Sequence, residues 1–234
     1  MKKLFFIANW KSYKTFEEAK TWLENFKPEG VDLTDKEIIV CPTFTLIPQM
    51  KWYIGQLNLP IKLGVQDVSS FGEGSYTGAV NAKQASEFVT YAIVGHSERR
   101  KYFHETDEDV LLKVTLLLEH NITPILCVSD MAQMDYYLQH GKVLVENCDK
   151  IIFVYEPPGA ITGGGAFKPV GIDEANENAG EISKKIGKKV ITAYGGSVNI
   201  DNIAALCEKE HIAGGLIGQA SLDPEKFLQI IKNS

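Results

Sequence analysis

The sequence predicts a closed (β/α)8 barrel formed by residues 1–234 as a single domain. Three observations carry this reading. Eight short apolar runs recur about every 30 residues, the length of one strand-plus-helix unit. Most of them are continuous rather than alternating, as parallel strands buried on both faces require. The length of 234 residues, with 44% hydrophobic and 10% aromatic content, suits one α/β barrel better than two domains. An open doubly wound sheet is the structural competitor, but no GxGxxG follows the first run.

The elements follow in order. "LFFIANW", from Leu4, is the first strand. Thr15-Phe-Glu-Glu18 then forms a capping box, in which hydroxyl and carboxylate satisfy orphan backbone donors, and it predicts a helix to Phe26. "EIIVC" and "IKLGV" are the next strands. From Val65, "VQDVSSFGEGSYTG" is a long polar loop of the kind that usually has a task. "YAIVG" precedes a short helix, "SERRKY", and Thr106 to His120 carries Val110, Val114, Leu117 and Leu118 at helical spacing. After "TPILCV", the interval from Val128 to Ile151 is the least periodic, and it reads as a short helix to Gln139 followed by an irregular turn. "IIFVY" is the sixth strand. A helix from Asp173 to Ile186 stops at Gly187, "VITAY" and "GGLIG" complete the strands, and Asp223-Pro224 supplies an N-cap with proline at the first helical position.

A net charge of −6, a pI near 5.4 and no basic block argue against nucleic-acid or membrane-surface partners. A small anion is still compatible, since helix N-termini and one or two lysines suffice to bind a phosphate. Cys41, Cys127, Cys148 and Cys207 are widely separated without CxxC spacing, which favours a reducing cytoplasm and suggests no metal site. The apolar patch from Leu4 to Ala8 is too short for a signal segment, and nothing approaches a membrane span.

In such a barrel the chemistry sits where strands end and βα loops begin. Asn9 and Lys11 follow the first strand, His96 and Glu98 the fourth, and Glu156 the sixth; Gly195-Gly-Ser197 follows the seventh and Gly218 the eighth. Taken singly, each has a plainer reading. Glu156 in "VYEPPGAITGGG" is a salt-bridged strand end, His96 a satisfied structural histidine, Lys11 a solvated lysine and Cys127 a packed small hydrophobe. Arg99 and Arg100 read as ion-pair donors, and His104, His120, His140 and His211 stay unassigned.

Together, "ANWK" (8–11), "VGHSERR" (94–100), "YEP" (155–157), "YGGSV" (194–198) and "GGLIG" (214–218) resemble the triosephosphate isomerase family, in order and across the whole chain. The resemblance implies a TIM barrel and a cofactor-free isomerase. It would interconvert dihydroxyacetone phosphate and D-glyceraldehyde 3-phosphate through an enediolate, in glycolysis and gluconeogenesis. Shifting a carbonyl between adjacent carbons needs a base above the carbon and electrophiles at the oxygens. By resemblance Glu156 is the base, neutral His96 polarises the carbonyl, Lys11 supplies positive charge, Asn9 is a further donor and Glu98 orients the lysine. The substrate and phosphate contacts implied are Asn9, Lys11, Thr162, Ser197, Leu216, Gly218 and Gln219. The lid implied is Pro157, Pro158, Gly159, Ala160, Ile161, Thr162, Gly163 and Gly164, latched by Tyr194 and Ser197. The loop from Val65 is similar to one that the family inserts into a neighbouring subunit, with Thr77 reaching toward that neighbour's lysine site, so a homodimer is implied.

The chain departs from the family pattern in places. Gly159 stands for a tryptophan, Thr162 for a glycine, Gln219 for the second glycine after strand eight, Ser12-Tyr13 for Met-Asn, and Ala79 for a glutamate that pairs with an arginine. The region around helix five is shorter by roughly one short helix. Gly159 and the triplet from Gly163 add backbone freedom, so a leakier lid and more methylglyoxal are expected. Two rivals are kept: another phosphosugar isomerase or aldolase, against which stands the lack of a Schiff-base lysine inside a strand, and a phosphosugar-binding protein.

Overall fold

The computed structural model describes residues 2–157 and 170–234. Eight strands run β1 Leu4–Asn9, β2 Lys36–Cys41, β3 Ile61–Val65, β4 Tyr91–Val94, β5 Thr123–Val128, β6 Ile152–Tyr155, β7 Ile191–Tyr194 and β8 Gly214–Ile217. Each pairs in parallel with the next. β8 closes on β1, with Phe5 opposite Gly214 and Ala8 opposite Ile217, so the sheet is a closed barrel. All eight coincide with the apolar runs of the sequence.

The helices are α1 Phe16–Asn25, α2 Ile47–Gln56, α3 Ala82–Ser86, α4 Ser97–Phe103 and α5 Asp107–Glu119, then α6 Met131–His140, α7 Lys142–Glu146, α8 Ile172–Ile186, α9 Ile203–Glu208 and α10 Pro224–Lys232. Their boundaries are set by local chemistry. The Thr15 N–H donates to the Glu18 carboxylate at 2.7 Å while the Thr15 hydroxyl accepts from the Glu18 N–H, closing the expected box. Thr106 and Asp109 do the same for α5, and the Asp223 carboxylate takes the Glu225 and Lys226 N–H groups for α10. Such caps contribute about 1 kcal/mol each.

One stretch corrects the sequence reading. Beyond α6, which Asp130 caps, residues expected to form an irregular turn are α7 and a 3-10 turn, Cys148–Lys150. The reason is burial: Leu144, Cys148 and Ile151 drop into the core, and a five-residue helix is too short to carry a 3.6-residue signal.

The core has two layers. Phe6, Ala8, Val40, Leu126 and Phe153 face outward against helix residues such as Trp22, Met50 and Val114. Phe5, Ile7, Ile39, Ile93, Ile125, Ile152, Val154, Ala193 and Leu216 fill the barrel interior. Strand side chains alternate between faces, so Asn9 continues the inward register of Phe5 and Ile7, Glu156 that of Ile152 and Val154, and Gly218 that of Leu216. The inward register thus delivers the polar strand-end residues to the carboxyl mouth of the barrel.

Candidate active site

A cleft of about 520 Å³ opens at that mouth, lined by Asn9, Lys11, His96, Ser197, Leu216, Gly218 and Gln219 among others. Residues from strands 1, 4, 7 and 8 therefore share one cavity. Lys11 is left-handed (φ 49°), and its N–H donates to Asn9 Oδ1 at 3.1 Å. Its ammonium donates to Glu98 Oε1 at 2.5 Å, which aims the charge across the cleft mouth from β1 toward α4. The Glu98 carboxylate thus fixes where the lysine ammonium sits.

His96 caps α4 and is 6% exposed. Its Nδ1 accepts the Glu98 N–H at 3.2 Å. A nitrogen that accepts a hydrogen bond carries no proton, so the imidazole is neutral here with its proton on Nε2. Gly95, before it, has φ +72°, a left-handed backbone that strains any side chain, and a Cβ there would sit a tight 3.1 Å from Arg100 and 3.2 Å from the Cys127 carbonyl.

Glu156 is fully buried, and it stands behind His96 rather than in the cleft wall. Oε1 accepts the Ser97 N–H at 3.0 Å, while Oε2 has no hydrogen-bond partner among the described residues and lies 3.9 Å from His96 Nε2, too far for a bond. A buried carboxylate oxygen without a donor is costly in a purely structural residue. Cys127 packs beside it; burial first, and then the Glu156 carboxylate, push its thiol well above the usual range, so it stays an uncharged core residue.

Gly196 is demanded by its neighbour: a Cβ there would collide with the buried Tyr194 ring and its hydroxyl. Pro157 is buried, and the other lid residues, Pro158 to Gly164 with Thr162, lie outside the described residues. Arg99 pairs with Asp67 at 2.8 Å and Glu105 at 3.3 Å, and Arg100 with Asp107 at 2.7 Å, both as ion-pair donors.

Sequence reading missed Gln66. Its side-chain amide donates to the carbonyls of Lys11 (2.9 Å) and Cys41 (2.8 Å), fixing the strained turn that carries the lysine. A polar residue directly after the third strand was the available signal. Asn199 and Lys226, further cleft residues, sit on a loop and on α10 with nothing local to mark them. Among the described residues, no group of three or more His, Cys, Asp or Glu could hold a metal, and no helix is long and apolar enough to cross a membrane.

A closed (β/α)8 barrel with a lysine, a neutral imidazole and a half-satisfied carboxylate gathered at its carboxyl mouth defines a barrel enzyme equipped for proton transfer beside a carbonyl. Comparison with known proteins is in accord. The triosephosphate isomerase family model matches residues 4–234. The chain is 34% identical to the triosephosphate isomerase of Dictyoglomus thermophilum over all of both chains. It is 36% identical to that of Trichodesmium erythraeum and 35% to one from Clostridium botulinum, each over 99% of both chains. The chain belongs to the triosephosphate isomerase family.

Proposed function

We propose that this isomerase interconverts dihydroxyacetone phosphate and D-glyceraldehyde 3-phosphate, as one barrel domain spanning residues 1–234, at the cleft formed by Asn9, Lys11, His96 and the strand 7 and 8 loops. The observation that carries the reading is a Glu156 oxygen, without a hydrogen-bond partner among the described residues, 3.9 Å from Nε2 of a neutral His96. Lys11 and the His96 Nε2–H supply positive charge to the substrate oxygens. Glu156, on releasing the Ser97 N–H and turning toward the cleft, takes the proton from one carbon and returns it to the next. An enediolate is the intermediate such a transfer requires, and electrophiles fixed in place before reaction stabilise it most. The phosphate rests against Ser197, Leu216, Gly218 and Gln219, and the family pattern adds Thr162. A coupled assay with glyceraldehyde 3-phosphate, beside a titration with a phosphorylated enediolate mimic, tests the reading: turnover is expected, and tight binding without turnover makes the protein a binder.

The same reading places the protein in the cytoplasm as a homodimer. On the loop after β3, Phe71 and Tyr76 stack at 4.4 Å while remaining 50% and 45% exposed, an apolar tip suited to burial against a second copy. Sedimentation at assay concentration is expected to give a dimer; a fully active monomer refutes this.

A further inference from the structure

The segment Gly218–Leu222, which lines the cleft, is a 3-10 turn, Gln219–Leu222, too short to hold its own shape. Its carbonyls are instead tied to side chains beneath it. The Ser221 hydroxyl, fully buried, donates to the Gly218 carbonyl at 2.7 Å. The Trp22 indole N–H, from α1, donates to the Ser221 carbonyl at 3.0 Å, and the Lys14 ammonium donates to the Leu222 carbonyl at 2.8 Å. The two outside donors are themselves fixed. Trp22 is 2% exposed and packs edge-on against Trp10 at 5.1 Å and flat on Phe26 at 5.1 Å. Lys14 lies over the Trp10 ring and adopts a left-handed backbone (φ 73°), uncommon for a residue other than glycine.

The Gly218 carbonyl is held within the turn by Ser221, and those of Ser221 and Leu222 from outside it by Trp22 of α1 and by Lys14 just before α1. The leading N–H groups of Gln219 and Ala220 have no acceptor among the described residues. They are the orphan donors of a helical first turn. We infer that Lys14, Trp22 and Ser221 form a brace that presets the Gly218–Leu222 backbone for the substrate phosphate, so that the first loop and first helix govern phosphate affinity without touching the substrate. This rests on the isomerase reading above. Donors held in place before binding lose little on complex formation, so a loosened brace weakens binding of the phosphate and spares the chemistry at the carbonyl end.

The test uses Lys14→Met, which keeps the stem and removes the donor, Trp22→Phe, which keeps an aromatic and removes the N–H, and Lys14→Arg as rescue. For Lys14→Met, KM for glyceraldehyde 3-phosphate and Ki for inorganic phosphate are expected to rise together by about 10-fold, with kcat within about twofold. Trp22→Phe is expected to do the same to a smaller extent, and Lys14→Arg to recover most of the loss. Turnover of D-glyceraldehyde, which lacks the phosphate, is expected to be unchanged in all three, a selectivity that general destabilisation does not produce. Unchanged KM and Ki in whichever of Lys14→Met and Trp22→Phe fold, or an equal loss with the phosphate-free substrate, overturns the brace. Absence of turnover in the unsubstituted protein overturns the isomerase reading instead.

Discussion

Replacing Glu156 with Gln is expected to lower kcat by about 100-fold or more, the scale of losing a general base. The substitution is nearly isosteric, and a Gln carbonyl still accepts the Ser97 N–H that Glu156 now takes at 3.0 Å. The inward position after Val154 is also kept, so folding is preserved and the measured loss belongs to proton transfer. Because the amide cannot take the proton, kcat falls while KM changes little. Steady-state kinetics in both directions, with circular dichroism to verify the fold, measure this. A folded Glu156→Gln protein with near-normal kcat removes the residue from the role of base.

Replacing Lys11 with Met is expected to reduce kcat/KM by about 100- to 1000-fold, the range for losing a donor at developing negative charge. The ammonium is the cleft cation that the Glu98 carboxylate, 2.5 Å away, holds between β1 and α4. Methionine matches the stem and leaves the backbone bonds from Asn9 and Gln66 intact. The freed Glu98 carboxylate is one-third exposed and is solvated rather than orphaned, so the variant folds. It loses both phosphate affinity and stabilisation of the enediolate, raising KM and lowering kcat together. A folded variant within about fivefold of the parent contradicts this role.

Much of the architecture is a local property of the chain. Each strand is a run of buried aliphatics bounded by polar residues, and Thr15, Thr106 and Asp223 start their helices with bonds that reach no more than three residues ahead. Gly187, at φ 76°, ends α8 in the left-handed conformation glycine adopts at least cost. Such interactions are legible because the partners are neighbours in sequence. The family motifs likewise name the strand ends at which Lys11, His96 and Glu156 stand. The exception, α7, is short and owes its form to the burial of Leu144, with α7 packed on α5 and α6, rather than to any pattern of its own.

The relations among the site residues are of another kind. Lys11 meets Glu98 across 87 positions, Ser97 meets Glu156 across 59, and Gln66 reaches Lys11 across 55. The brace under Gly218–Leu222 links the first loop and helix to the turn after the last strand, with Lys14 and Leu222 separated by 208 positions. Strand facing is equally hidden: in runs apolar on both sides, no alternation distinguishes Ile152 and Val154, which fill the barrel, from Phe153, which packs on the helices. By itself, then, the sequence determined the eight strands, the capped helices and the residue types at the barrel mouth, since these follow from propensity and short-range hydrogen bonds. Closure of β8 on β1 decided the rest. It set which side chains point inward and brought residues remote in sequence within 3 Å, leaving one oxygen of Glu156 bonded to Ser97 and the other without a partner among the described residues.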